Sequence, residues 1–374
     1  MICKRIEYTD FRNIENEAID FSPGTTILYG RNAQGKTNML EGVYLFAQGK
    51  SHRAGRDSEL IRFGADFAKL SMIYEADGRE NTLSLTIEGG RHKIPYKNGV
   101  KLDRLSEMIG NFRAVLFSPE HLSIVKGAPS ERRSFLDVAI SQLRPVYMRT
   151  LQRYNTILLQ RNALLKSMKG KYSESSASSL EAWSEQLSEY AARVAVVRAD
   201  YASKLSGIAS ELYSDMTGSR EEIEIIYHGS SRIGGDYGDE KRVREIYRRQ
   251  LTSNTEREIL LGSTQYGVHK DDVDIMLNGR EAKFFASQGQ QRSIVLTMKL
   301  AEGEYSKRQT GEYPVFLLDD ILSELDPARR SYVVSGIKDR QVIITSCDTS
   351  VQRRIKGGIC YYVKSGVPTL SEKN

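Results

Sequence analysis

The chain has 374 residues, of which 40% are hydrophobic and 27% charged, with a formal net charge of +6. That length is enough for two domains with a core each, and no apolar run reaches the roughly 18 residues of a membrane span, so no membrane-spanning helix is expected. The N-terminus has no signal-peptide apolar core and Cys3, Cys347 and Cys360 have no metal spacing, so a cytoplasmic protein is expected, its positive charge favouring a polyanionic partner.

Ile2 to Tyr8 alternates like an edge strand, and Thr25 to Tyr29 reads as a buried one. Directly after it stands Gly30-Arg31-Asn32-Ala33-Gln34-Gly35-Lys36-Thr37, followed by an amphipathic helical pattern over Asn38 to Leu45. Strand, glycine-rich loop and helix together form the setting of a phosphate-binding loop. Its backbone N–H groups face phosphate oxygens, Lys36 reaches the β- and γ-phosphates, and the Thr37 hydroxyl ligates Mg²⁺. A nucleoside triphosphate is the expected ligand. Further on, Lys69 to Glu75 and Asn81 to Ile87 flank an Asp77-Gly78 turn and predict a hairpin, with Lys93 to Val100 extending the same small antiparallel sheet.

Helical spacing takes over from Leu136 to Met168, and again from Leu180 to Leu212, across a polar connection at 170–179. Two such helices joined by a short loop predict an antiparallel hairpin about 50 Å long, kinked or restarted at Pro145. The sequence leaves open whether this arm projects or folds back. No acidic residue occurs between Asp137 and Glu174, a stretch holding Arg144, Arg149, Arg153, Arg161, Lys166, Lys169 and Lys171. After a turn-rich loop at 229–238, a second basic cluster follows in a helix starting near Asp239: Lys241, Arg242, Arg244, Arg248 and Arg249. Both clusters are candidates for sequence-independent contact with nucleic-acid phosphates, the alternative being solvated helix faces.

From about Gly267 the α/β pattern returns. Val315 to Asp319 is an apolar strand ending in two carboxylates, the Walker B pattern. Asp319 is placed to hold Mg²⁺ opposite Thr37, and Asp320 to polarise the water that attacks the γ-phosphate. Ser287-Gln288-Gly289-Gln290-Gln291 at a helix start resembles the signature motif of ATP-binding-cassette (ABC) ATPases, and Ser323-Glu324-Leu325-Asp326 resembles their D-loop. About 280 residues separate the phosphate loop from Walker B, a gap similar to that of the SMC branch, where helices interrupt the head. With Phe11-Arg12-Asn13-Ile14, Gly49-Lys50-Ser51-His52-Arg53, Phe117-Ser118-Pro119-Glu120 and Gly267 to Asp272, the whole chain resembles the RecF family of bacterial recombination mediators.

That resemblance implies an α/β fold: an ABC-type, SMC-like ATPase head from residues 1–115 and 265–374, with an inserted helical antiparallel arm at 116–264. It implies ATP and Mg²⁺ as cofactors, with Arg12, Gly30, Arg31, Asn32, Ala33, Gln34, Gly35, Lys36, Thr37, Ser287, Gly289 and Gln290 at the nucleotide. Lys36, Ser287 and Asp320 serve catalysis; Thr37 and Asp319 serve the metal. Because the signature serine of this class binds the γ-phosphate held by a second subunit, an ATP-dependent head-to-head homodimer is implied. The implied partners are DNA (double-stranded, gapped or junction) and the RecO and RecR mediators, with RecA loading as the task and the nucleoid as the place. Asp320 stands where transporter cassettes carry glutamate, and Thr345 and Ser346 stand where they carry a switch histidine, so slow hydrolysis is expected. Two readings remain: a DNA clamp reset by hydrolysis, or an ATP-dimerised scaffold in which hydrolysis is incidental.

Overall fold

The computed structural model describes the chain apart from residues 91, 172, 231–236, 337–339, 349–357 and 372–374, with the backbone alone at 323, 324, 328 and 334. The described residues separate into two compact units, 1–122 with 292–374, and 123–291. The boundaries therefore lie at 122/123 and 291/292, where the sequence reading put them at 115/116 and 264/265.

The first unit opens with β1 (Ile2–Phe11), β2 (Ile14–Asp20), β3 (Thr25–Tyr29) and α1 (Lys36–Gln48), then β4 (Phe67–Ala76), β5 (Arg79–Glu88), β6 (Ile94–Lys97), β7 (Val100–Lys101) and β8 (Ala114–Phe117). Six of these strands form an antiparallel sheet in the order β2-β1-β4-β5-β6-β7. β1 is thus an inner strand, not an edge. Alternation reports one buried face, here Cys3, Ile6, Tyr8 and Phe11, and says nothing of neighbours in the sheet plane. The β4–β5 hairpin turns through Asp77 and Gly78 at φ 50° and 68°, the two positive values of a type I′ turn. α1 is buried on nearly every side from Met39 to Ala47, so the amphipathic reading gives way to a helix enclosed by the core.

The second unit contains α2 (Ser123–Lys126), α3 (Pro129–Leu143), α4 (Pro145–Met168), α5 (Glu174–Thr217), β9 (Ile223–His228), α6 (Glu240–Ser253), α7 (Thr255–Leu261), β10 (Asp272–Leu277), β11 (Arg280–Glu281) and α8 (Ala282–Phe285). Proline excludes the residue before it from helical geometry, so Arg144 sits at φ −131°, ψ 86°, and Pro145 starts a new helix. The connection to α5 is shorter than expected, because Ser173 caps the helix by accepting the N–H of Ser176. α5 has 44 residues, about 66 Å at 1.5 Å per residue. α5 packs against α4, and also against α6 and β9, so the insertion is a compact mixed unit, not a bare helical hairpin. Its sheet, β11-β10-β9, explains the later boundary: β9 pairs with β10 throughout, which keeps residues 272–281 with the insertion. The expected loop at 229–238 falls largely outside the described residues.

α9 (Gln288–Thr310) runs across residue 291, after which the first unit resumes with β12 (Val315–Asp319), α10 (Pro327–Gly336), β13 (Val342–Ser346), β14 (Ile359–Lys364) and β15 (Val367–Leu370). The second six-stranded sheet of this unit has the order β15-β14-β3-β13-β12-β8, parallel except for β15. β3, β12 and β13 are almost wholly buried, as continuous apolar runs in a parallel sheet require.

Several charged groups buried in the second unit are paired. Arg198 makes a bidentate pair with Asp137, and Arg132 another with Asp272. Arg161, a candidate for DNA contact, is fully buried. Its guanidinium is 2.7 Å from Glu258 and donates to Ser184 and Thr264. It lies on the buried seam of α4 with Tyr154, Ile157, Leu165 and Met168, which removes it from any phosphate-binding surface. Arg161→Ala would leave Glu258 charged and alone inside the unit, at a cost of about 3–5 kcal/mol. A lower denaturant midpoint with an unchanged salt dependence of DNA binding is the expected result.

Candidate functional site

Parallel sheets place ligands beyond the carboxyl ends of their strands. Here the order β3-β13-β12-β8 gathers at one edge the loop after β3, Thr345 and Ser346 at the end of β13, Asp319 and Asp320 at the end of β12, and Ser118 after β8. The phosphate loop occupies residues 30–35. Gly30 is at φ 151°, and a Cβ there would lie 2.5 Å from the Val363 carbonyl oxygen of β14, so no other residue fits. Gly35, at φ 105°, is closed in by the Asn13 side chain at 2.8 Å from the same imagined atom. Arg31, Asn32 and Ala33 are exposed at the rim, with Ala33 in the left-handed region at φ 61°.

Lys36 is buried at the base of the loop, and its ammonium donates to the Gly30 and Arg31 carbonyls at 2.9 and 2.8 Å. Burial pulls its pKa below the ordinary lysine value, against the opposing charges of Asp320 and Asp319. The Thr37 hydroxyl donates to Asp319 Oδ1 at 2.8 Å. A hydroxyl and a carboxylate converging in this way are hard oxygen donors of the kind Mg²⁺ takes alongside phosphate oxygens, so the residues fit that ion. Among the described residues no cluster of three or more histidine, cysteine or acidic side chains offers a self-sufficient metal cage. Asp320 takes a left-handed backbone, φ 52° and ψ 13°, and its Oδ1 receives the Cys347 N–H at 3.4 Å.

Arg12, expected at the nucleotide, has its partners within the protein. It grips Glu41 of α1 through two hydrogen bonds of 3.0 and 2.8 Å and donates to the Glu59 carbonyl at 2.9 Å. The Glu41 side chain is fully buried and also accepts from the Ser51 hydroxyl. Burial opposes its ionisation, but Arg12 and Ser51 outweigh that and hold the carboxyl below the usual glutamate range. Asn13 donates to the Gln34 carbonyl and accepts from Asn38, which in turn accepts from Arg53. The segments around Arg12 and Ser51 therefore brace the phosphate loop and its helix from behind. One acidic residue, Glu41, inside the otherwise apolar and small run Met39 to Ala47 was the signal for this pair in the sequence.

In the second unit Ser287 is exposed immediately before α9. Its hydroxyl accepts the Gln290 N–H at 3.3 Å while its own N–H donates to Gln290 Oε1 at 2.8 Å, a reciprocal capping box. Gln290, expected at the nucleotide, has its amide spent on this cap and on Glu221 at 2.6 Å. Gly289 lies in the first turn of the helix. Of the basic candidates, Arg149, Arg153, Lys166 and Lys169 are exposed without ion-pair partners among the described residues, and Arg144 pairs with Asp200 at 3.3 Å. On α6, Lys241 and Arg242 are exposed, Arg244 pairs with Glu185, and Arg248 and Arg249 share Glu245. Hydrogen bonds from Arg248 and Arg249 pull the Glu245 carboxyl down to about 2. The α6 cluster is thus partly neutralised within the chain.

Residues 2–365 match the family model of the RecF/RecN/SMC N-terminal domain. The "DNA replication and repair protein RecF" of Ruminiclostridium cellulolyticum is 40% identical over 346 residues, 92% of either chain, and that of Staphylococcus carnosus is 38% identical over 355 residues, 94% of either. The solved "recombination mediator protein RecF-ATP in RecFOR pathway" superposes with a TM-score of 0.92 at 34% identity, covering 99% of this chain and 97% of that one. The SMC head domain of Pyrococcus furiosus, at 17% identity and a TM-score of 0.56, shares the fold.

Arg12→Met would leave buried Glu41 with only the Ser51 hydroxyl and the more distant Arg53 guanidinium, 3.8 Å away. In the wild type the lowered carboxyl contributes stability above the ordinary glutamate value of about 4.3, lost as pH falls through the folded-state value. In the variant only Ser51 and Arg53 oppose burial, so the carboxyl rises relative to the wild type and the stability that its ionisation contributes shrinks. The gap in unfolding midpoint between the two proteins is expected to be widest at neutral pH and to close under acid conditions, which melting scans across pH would show.

Proposed function

The chain belongs to the RecF family, within the RecF/RecN/SMC N-terminal-domain class, and from that premise we propose that it is an ATP-dependent DNA-binding protein of recombinational repair and replication restart. ATP and Mg²⁺ are its cofactors. Lys36 and the N–H groups of residues 31–35 would hold the phosphates, while Thr37 and Asp319 would hold the metal, whose charge would offset that of the phosphate oxygens. The observation that carries this reading is the 2.8 Å hydrogen bond between Thr37 and Asp319, which joins the two motifs of a nucleotide site across about 280 residues of chain.

In hydrolysis the oxygen of a water attacks the γ-phosphorus, and its proton passes to the Asp320 carboxylate. The bond from the γ-phosphorus to the β–γ bridging oxygen breaks, and ADP leaves with that electron pair. Aspartate reaches less far than glutamate, and no imidazole follows β13, so turnover is slow and DNA-stimulated. The exposed Ser287 and the first turn of α9 bind the γ-phosphate held by a second subunit, and ATP thereby joins two heads. Duplex, gapped or junction DNA is held through phosphate contacts by Arg149, Arg153, Lys166 and Lys169, with Arg144 and the α6 residues Lys241, Arg242, Arg244, Arg248 and Arg249 beside them. RecO and RecR are the expected partners, RecA loading the outcome, and the nucleoid in the cytoplasm the setting.

Ser287→Arg tests the shared site. Each variant subunit should still bind ATP through its own loop, but sedimentation with ATP and Mg²⁺ should show monomers, and the salt dependence of DNA binding should flatten. Dimers like those of the wild type would refute the trans role. Asp320→Asn should bind ATP and dimerise normally, hydrolyse it at least about 100-fold more slowly, and remain longer on DNA. Unchanged turnover would exclude Asp320 as the base, and unchanged residence on DNA would favour the scaffold reading over the clamp.

A further inference from the structure

The strand between the two motif-bearing strands has a part in the site that its own sequence does not announce. β13 pairs in parallel with β3 on one side and β12 on the other, and in both registers Thr345 is the residue at the active edge, opposite Leu28 and opposite Asp319. Its side chain is buried, and its hydroxyl both accepts and donates a hydrogen bond. The Asp320 N–H donates to Thr345 Oγ1 at 3.0 Å, so the single hydroxyl hydrogen is left for Asp319 Oδ1, 2.6 Å away. That carboxylate oxygen is the one that also receives the Thr37 hydroxyl.

Asp320 is the residue most in need of such support. At φ 52° it occupies a region that residues with a Cβ seldom enter, and it stays there only if its surroundings impose it. The Thr345 hydroxyl and carbonyl both receive its N–H, the latter at 3.3 Å, and two residues on Cys347 faces its carboxylate. One short segment thus fixes the backbone of Asp320 and borders its side chain. The negative charge of Asp320 raises the pKa of the Lys36 ammonium against the effect of burial.

We infer that Thr345 is a positioning residue for hydrolysis: its hydroxyl locks the two adjacent acids of β12 in register, fixing one oxygen of Asp319 and holding Asp320 in the left-handed conformation that aims it at the γ-phosphate. The inference rests on the reading of Asp320 as the group that takes the water proton. Serine keeps the bridge, whereas valine keeps the shape and the backbone ladder but can neither donate nor accept.

The test compares the full chain with Thr345→Val, Thr345→Ser and Asp320→Asn, measuring DNA-stimulated turnover, binding of a fluorescent ATP analogue with Mg²⁺, and thermal unfolding. Thr345→Val should lower kcat by about 10- to 100-fold, as loss of a supporting hydrogen bond does elsewhere, with nucleotide affinity within about threefold of the wild type. Thr345→Ser should recover kcat to within about threefold. If Thr345→Val loses affinity in step with kcat, or if Thr345→Ser fails to recover turnover while folding normally, Thr345 only ties the sheet together and the inference falls. A slow Asp320→Asn beside an unimpaired Thr345→Val would overturn this inference alone. An unimpaired Asp320→Asn would overturn the reading beneath it as well.

Discussion

A carboxylate withdrawn from water must be met by donors, and Asp319, 6% exposed at the end of β12, is met by two hydroxyls from two directions. Thr37 comes from the first turn of α1 and Thr345 from the end of β13. For both to reach one oxygen, β13 must stand beside β12, β3 must stand beyond it, and the loop after β3 must deliver its helix at the right height. The order β3-β13-β12 does this, and the loop conformation follows from it. A glycine must lie where β14 presses against the loop at Gly30, and another where Asn13 closes over Gly35.

The phosphate loop is also supported from behind. Arg12 enters from the turn between β1 and β2, meets Glu41 inside the core and so couples the antiparallel sheet to α1. On the other flank the turn between β14 and β15 donates two backbone N–H groups, those of Ser365 and Gly366, to Gln34 at 2.8 Å each. A loop that must keep its N–H groups free for a ligand cannot stabilise itself with them. Its rigidity is therefore borrowed from neighbours that bond its carbonyls and side chains.

Much of this was legible in the residues. The spacing of glycines with Lys36 and Thr37, the strand ending in Asp319 and Asp320, the Asp77-Gly78 turn and the restart at Pro145 each follow from local chemistry, and local chemistry is what a sequence displays. The failures share a cause. Whether β1 is an inner or an edge strand, whether α1 is covered on one side or all round, and where β9 finds its partner are facts about distant residues. Arg161 is the instructive case, because its spacing from Tyr154, Ile157, Leu165 and Met168 placed it on the buried seam of α4, and its charge drew attention away from that position. Thr345 was noticed for the histidine it is not. Its bond to Asp319 spans two strands and has no local signal.

The neighbours of β3 carry a consequence for how the protein is made. On a ribosome β3 emerges among the first thirty residues, yet the strands that flank it, β13 and β14, begin at Val342 and Ile359. Until β13 has been synthesised, Thr26, Ile27 and Leu28 have neither of their sheet partners. The nucleotide loop cannot be set before β14 has been made, because the wall behind Gly30 does not yet exist. A nascent chain of this topology thus carries an apolar strand with two open edges for most of its synthesis, a hazard for pairing with other chains. Folding of the site waits on β13 and β14, and the nucleotide, when it binds, can recognise only a chain in which both have paired with β3.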